Sequence, residues 1–152
     1  MKSLRAKTIR KAALNNKGQS IVEFALVVPL LLILVVGMIE WGIILWTQSA
    51  FDDAARAGAR AAAVMTDWNT NQQNDTTIVI NTVKDDLESL PSILKQNIDS
   101  NIIVELIPDP SNIQSIRVSI RKQPYKPVIG SGLIPTPAAL SASAEYRYES
   151  SL

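Results

Sequence analysis

Most enzyme and metal chemistry needs cysteine or histidine, and this chain of 152 residues has neither. Disulfides, thiolate zinc sites, Cys/His nucleophile pairs and Ser/His/Asp triads are excluded outright. Catalysis would have to rest on carboxylates, lysine, tyrosine or serine alone, so the chain reads as a non-enzyme with no cofactor. The residues that stand out do so by position. Glu23 opens an apolar run, FALVVPLLLILVVGMI, that carries no charge until Glu40. A carboxylate at the edge of hydrocarbon is expensive and marks a functional position by default. Asp85, Asp86 and Glu88 cluster on a helical stretch, but no calcium-loop pattern accompanies them. Lys122 and Lys126 flank Tyr125. A basic stretch this short reads as a solvated loop rather than a nucleic-acid surface.

The element that must position Glu23 is a membrane helix. From Ile21 to Trp46 a helix rising ~1.5 Å per residue reaches roughly 39 Å, more than the ~30 Å hydrocarbon thickness, so it spans with some tilt. Pro29 removes one backbone donor inside this run, and Gly37 is a second soft point. Lys2, Arg5, Lys7, Arg10, Lys11 and Lys17 all precede the first acidic residue. Basic residues stay on the cytoplasmic side, which places the N-terminus inside and everything after Trp46 outside. Trp41 and Trp46 suit an outer interfacial belt. The nine remaining Lys and Arg stand against all 14 Asp and Glu, a net charge of −5 that argues against nucleic acid as a partner. A secretory signal peptide cleaved near AGARAA is the competing reading. The apolar run is too long for it, and the alanines begin well beyond the run's end.

The order of basic tail, Gly18, Gln19 and Ser20, then Glu23 and Phe24 opening an apolar helix, resembles a class III, prepilin-type signal. The similarity extends over residues 18–63. Val22-Glu23-Phe24-Ala25-Leu26, Pro29, Glu40-Trp41-Gly42 and Ala55-Arg56-Ala57-Gly58-Ala59-Arg60 resemble the TadE-like minor pilins of the tight-adherence (Flp-type) pilus system. Ile43 and Ala57 depart from that pattern, where family members often carry a basic residue and a glutamate, so the TadE or TadF subtype stays open. The resemblance implies that a prepilin peptidase cuts between Gly18 and Gln19 on the cytoplasmic side. A glycine there lets the backbone lie extended and close to a protease. Gln19 and Glu23 are an i, i+4 pair, so the freed α-amine and the carboxylate lie near one helical face. The resemblance also implies that Glu23, with Phe24 beside it, meets the amine of a neighbouring subunit and sets the axial register. Its implied partners are the membrane, the peptidase, other pilin-like subunits in a hetero-oligomer or fibre, and an inner-membrane assembly platform. The chain is then a single-pass protein of the cytoplasmic membrane with an exported C-terminal domain, or a component of the extracellular pilus itself.

The expected organisation is a basic leader over 1–18, a transmembrane helix over 19–46, its continuation outside the membrane over 47–66, and an exported α+β domain over 67–152. Glu40 falls ~25 Å along the helix from Glu23, near the outer interface, where it either reaches water or meets a partner helix. Ala50, Ala54, Gly58 and Ala62 recur every four residues, a stripe that lets another backbone approach closely. That backbone belongs to the protein's own sheet or to another subunit. Arg56 and Arg60 are expected on a surface that is solvated or paired with Asp52. DWNTNQQNDTT reads as a polar loop, followed by a second helix with Ile80, Val83, Leu87 and Leu90 on its apolar face. Pro91 ends that helix or starts a short one. NIIVELI and IQSIRVSIR, joined by the turn residues PDPSN, form an antiparallel hairpin. Ile116, Val118 and Ile120 face inward, and Ser115, Arg117, Ser119 and Arg121 face water. KQPYKPVIGSGLIPTP is too rich in proline and glycine for a regular element, and ALSASAEYRYE gives a third strand with Leu140, Ala142, Ala144, Tyr146 and Tyr148 on one face. The fold class is thus α+β, a long N-terminal helix packed on a small antiparallel sheet of about three strands. The pilin resemblance implies the same arrangement.

Two other functions compete. One is an uncleaved single-pass anchor whose exported domain binds a ligand or an envelope partner, and the other is a soluble factor released near Ala59 to Ala62. The first retains the basic leader, whereas the second loses the whole apolar helix.

Overall fold

A computed structural model describes the backbone of residues 2–65, 72–108, 114–129 and 132–148, with side chains over 18–65, 75–108, 115–129 and 132–147. Helix α1 is Lys2–Val64 and helix α2 is Gln72–Asp86. Two short 3-10 turns follow, Ser92–Leu94 and Ile98–Ser100, and then strands β1 Ile102–Ile107, β2 Gln114–Pro124 and β3 Ala139–Tyr148. The chain divides into two compact units, Met1–Ile39 and Glu40–Leu152.

The first unit is helix alone. Its apolar side chains, from Ile21 through Leu30 and Leu34 to Ile39, are exposed. The apolar window in this helix has a mean hydropathy of 2.8 and none of it is buried. A soluble protein would leave such a face to water at great cost, whereas lipid accepts it. Among the described residues α1 is long and apolar enough to cross a membrane, and it fits a single-pass membrane protein. Pro29 lies inside it.

The second unit begins at Glu40, six residues before the expected end of the membrane segment at Trp46. From there α1 buries residues at helical spacing: Glu40, Ile44, Thr47, Phe51, Ala54, Gly58 and Ala62. The uncharged residues left outside this unit run from 24 to 39, about 24 Å of helix at ~1.5 Å per residue. That length falls a little short of one ~30 Å hydrocarbon layer, which puts Glu23 and Glu40 near its two edges.

Against α1 stands a three-stranded antiparallel sheet in the order β1-β2-β3. Val118 of the central strand pairs with Val104 on one side and Ala144 on the other. Ile116, Val118 and Ile120 are fully buried, as their alternation predicts, and Leu140 and Ala142 bury beside them. Tyr146 is 40% exposed, so it does not share the buried inner face of β3 expected for it. The side chain of Tyr148 lies outside the described ones.

Helix α2 starts at Gln72, inside the stretch expected as loop. Asp75 in its first turn suits the positive end of the helix dipole. Its buried residues are Val79 and Val83, and Leu87 and Leu90 are buried just beyond its end. Val79 takes the place expected for Ile80, which is only half-buried, because Val79 and Val83 are the residues of α2 that meet α1 at Gly58. Pro91 precedes the first 3-10 turn. Part of the expected loop, residues 66–71, and the turn residues 109–113 lie outside the described residues.

Strand β2 does not end at Arg121. Its pairing jumps from Ile120 opposite Ala142 to Gln123 opposite Leu140, so β2 carries one extra residue there. Lys122 adopts φ 51°, the left-handed conformation typical of such a bulge, and its N–H donates to Ser141 Oγ at 3.0 Å. Strict alternation after Ile120 would turn Lys122 and Pro124 inward. The bulge shifts the phase by one, and Gln123 and Tyr125 are the buried residues instead. Gln123 uses its burial fully. It accepts from Asn101 Nδ2 at 2.8 Å and donates to Gln96 O at 2.8 Å and Leu94 O at 3.3 Å, tying both 3-10 turns to the sheet.

Candidate functional site

Three groups of residues carry the features that folding alone does not explain. The first lies at the start of the apolar run. Gly18, Gln19, Glu23 and Phe24 are all exposed, Phe24 at 70%. Gln19 Nε2 donates to Glu23 Oε1 at 3.3 Å, so the i, i+4 spacing does bring positions 19 and 23 together on one face. Gly18 lies within α1 rather than in an extended segment, and one interior glycine costs a helix only about 1 kcal/mol. A Cβ added at Gly18 would meet nothing within 4 Å. Nothing in the packing of the described residues therefore calls for glycine at this position.

The second group centres on Glu40, which is fully buried. Its Oε1 accepts the Tyr125 hydroxyl at 2.7 Å and the Val128 N–H at 3.0 Å, and its Oε2 accepts the Ile129 N–H at 2.9 Å. Three donors thus converge on one carboxylate, which is how a charge survives burial. Glu40 neither reaches water nor waits for a partner helix; the loop following β2 supplies its donors. Burial pushes the Tyr125 phenol well above its ordinary 10.0, and the hydrogen bond to Glu40 and the charge of that carboxylate add to the shift. The phase shift at Lys122 makes the contact possible by turning Tyr125 toward α1. Tyr125 was expected between lysines on a wet loop; instead its ring is buried and Lys126 points away, donating to Gln96 Oε1 at 3.2 Å.

The third group is the small-residue stripe. Ala54, Gly58 and Ala62 are buried and Ala50 is partly so. A Cβ on Gly58 would clash with Val83 Cγ2 and approach Val118 Cγ1 to 3.3 Å and Val79 Cγ1 to 3.6 Å. The close approach belongs to this chain's own α2 and β2, and α2 is the neighbour that the sequence reading omitted.

The outer face of the sheet is polar. Arg117 pairs with Glu145 at 2.8 Å and Arg121 with Glu105 at 2.9 Å across neighbouring strands. A donated hydrogen bond from Ser115 and then the Arg117 guanidinium hold the Glu145 carboxyl below its ordinary range. Between the arginines, Ser119 is buried rather than wet, and its Oγ finds no hydrogen-bond partner among the described residues. On α1, Arg56 pairs with Asp53 at 3.4 Å rather than with Asp52, in an exposed contact worth little. Asp85, Asp86 and Glu88 form no metal-holding group, and among the described residues no three His, Cys, Asp or Glu side chains converge on one.

A family model described as TadE-like protein matches residues 18–60. No curated protein and no solved structure matches the chain. The matched segment opens on Gly18 and takes in Glu23, Glu40 and Gly58, one residue from each of the three groups. Tyr125, Val128 and Ile129, which complete the Glu40 site, lie outside it.

Proposed function

We infer that this TadE-like chain is a prepilin-like minor subunit of a tight-adherence pilus, cut after Gly18 and assembled with other pilin-like subunits through its apolar helix. The observation that carries this reading is the family match, which opens on the glycine of a prepilin-type junction and continues through the apolar helix to Arg60. Two features support it. Glycine at 18 answers no packing need, whereas a peptidase that must approach the backbone closely gives it a reason. Glu23 is exposed beside Gln19 at the edge of an uncovered apolar surface, where an ammonium group would offset the cost of keeping it there.

In this reading the chain performs no chemistry. It is inserted with the basic leader in the cytoplasm, serves as substrate for the prepilin peptidase, and presents Glu23 to the α-amine at Gln19 of its own or a neighbouring helix. The exposed face between 21 and 39 then packs on lipid or on the helices of partner subunits at the inner-membrane platform. Replacing Glu23 with alanine is expected to leave membrane insertion intact, since it removes a charge from an apolar run. It should also abolish cross-linking to partner pilin-like subunits in membranes. Cross-linking at the unaltered level would remove Glu23 from the assembly role.

A further inference from the structure

We propose that the loop following β2, held by Glu40, is a second membrane contact, with Val128 and Ile129 seated in the outer leaflet's interfacial layer beside Trp41 and Trp46. The inference rests on the single-pass reading of α1 and is independent of pilus assembly.

Four observations point to lipid. Glu40 is the residue immediately after the uncharged run of 24–39, which at about 24 Å ends near the edge of a ~30 Å hydrocarbon layer entered at Glu23. The Val128 and Ile129 N–H groups are bonded to the Glu40 side chain itself, so these two residues are fixed beside Glu40. Val128 is 46% exposed and Ile129 53%, and Trp41, Leu45 and Trp46 are exposed on the turns of α1 that follow Glu40. Apolar side chains on both elements therefore meet solvent near Glu40.

The start of the loop, from Pro127 to Ile129, is also cheap to dehydrate. From Pro127 to Ala144 the sequence carries no charged residue. Pro127, Pro135 and Pro137 have no N–H to satisfy, and the Val128 and Ile129 N–H groups already have a carboxylate. Backbone polar groups are what normally bar an irregular loop from a lipid surface. Here the helix supplies the acceptor. A carboxylate that had to reach water would hold this level of the helix clear of the bilayer, whereas one already satisfied by the loop lets it sit in the interface.

The absence of native cysteine makes a single label unambiguous. The full chain carrying Ile129→Cys, labelled with an environment-sensitive fluorophore and reconstituted in phosphatidylcholine/phosphatidylglycerol vesicles, is compared with Ser143→Cys on the polar outer face of the sheet. Flotation of the vesicles first establishes insertion, and a chain that fails to float contradicts the membrane span rather than the loop contact. In floating vesicles the label at 129 is expected to be quenched several-fold less by aqueous iodide than the label at 143. It should also be quenched more by lipids spin-labelled high on the acyl chain than by lipids labelled near the terminal methyl. Iodide quenching equal at the two positions overturns the proposal. So does protection from iodide without quenching by spin-labelled lipid, which would indicate burial against a second copy of the chain. Adding Glu40→Gln to the Ile129→Cys background is expected to move the label toward water, and no change would remove Glu40 as the anchor. The comparison in the otherwise unaltered chain stands whether or not that variant folds.

Discussion

Two carboxylates bracket the apolar run, and they meet opposite fates. Glu23 is exposed beside Gln19, while Glu40 is buried under three donors from the β2–β3 loop. Hydrogen bonds to a charged acceptor contribute about 1.5 to 3 kcal/mol each, and leaving a donor unpaired costs a comparable amount. Glu40→Gln, which sets an amide NH2 against an N–H or O–H donor, is therefore expected to destabilise the full chain in detergent by about 2 to 4 kcal/mol. Denaturant unfolding measures this, and a change within experimental error would show that the carboxylate has no structural role. Tyr125 adds a pH dependence. Its folded-state pKa is raised above the ordinary 10.0, so the protonated phenol stabilises the fold fully below that value, and the contribution declines as the pH climbs beyond it. Stability should be level from neutral pH to about 10 and then fall, and Tyr125→Phe should lack that part of the fall. The oddity of Glu40 was legible in the sequence, as the charge ending an apolar run. Its partners were not, since Tyr125 is 85 residues away and no local pattern links them.

At the scale of elements, an uncharged run of near-hydrocarbon length located α1, and β-branched or alternating apolar residues located the three strands. Two failures have a common physical cause, a phase that sequence alternation does not carry. In β2 the bulge at Lys122 inverts the inward set, so Gln123 and Tyr125 are buried where polar residues and a loop were expected. Lysine is a poor advertisement for a left-handed conformation, and no glycine marks the spot. In α2 the polar residues before Ile78 concealed the first turns, and the face centred on Val79 and Val83 rather than Ile80. The α1–α2 contact at Gly58 gives a direct test of that packing. Gly58→Ala gains about 1 kcal/mol of helix propensity but places a methyl on Val83, whose branched side chain has little rotamer freedom in a helix. Overpacking at about 1 to 3 kcal/mol outweighs the gain, so a net loss of about 1 kcal/mol is expected. Val83→Ala carries its own cavity cost, but Gly58→Ala added to the Val83→Ala background should cost little or nothing further, since the two sites touch. Additive losses would place the clash elsewhere.

For the whole molecule, the contact boundary at Ile39/Glu40 gives α1 two separate tasks. Residues 24–39 supply an uncovered apolar surface about 24 Å long, and residues 40–64 supply one wall of an α+β core. The composition had already excluded thiol and imidazole chemistry and set the basic leader apart from an acidic body. What it could not supply was the point of transition, because Trp41, Ile44 and Leu45 are as apolar as the residues before them and only tertiary contacts show which are claimed by the protein. The family match makes residues 18–60 similar to TadE-like proteins, and the proposed pilin role turns on proteolysis at Gly18. The most direct measurement is the intact mass of the native chain extracted from membranes that contain a prepilin peptidase. A polypeptide beginning at Gln19 is expected, whereas recovery of the chain with the basic leader before Gly18 still attached would contradict it.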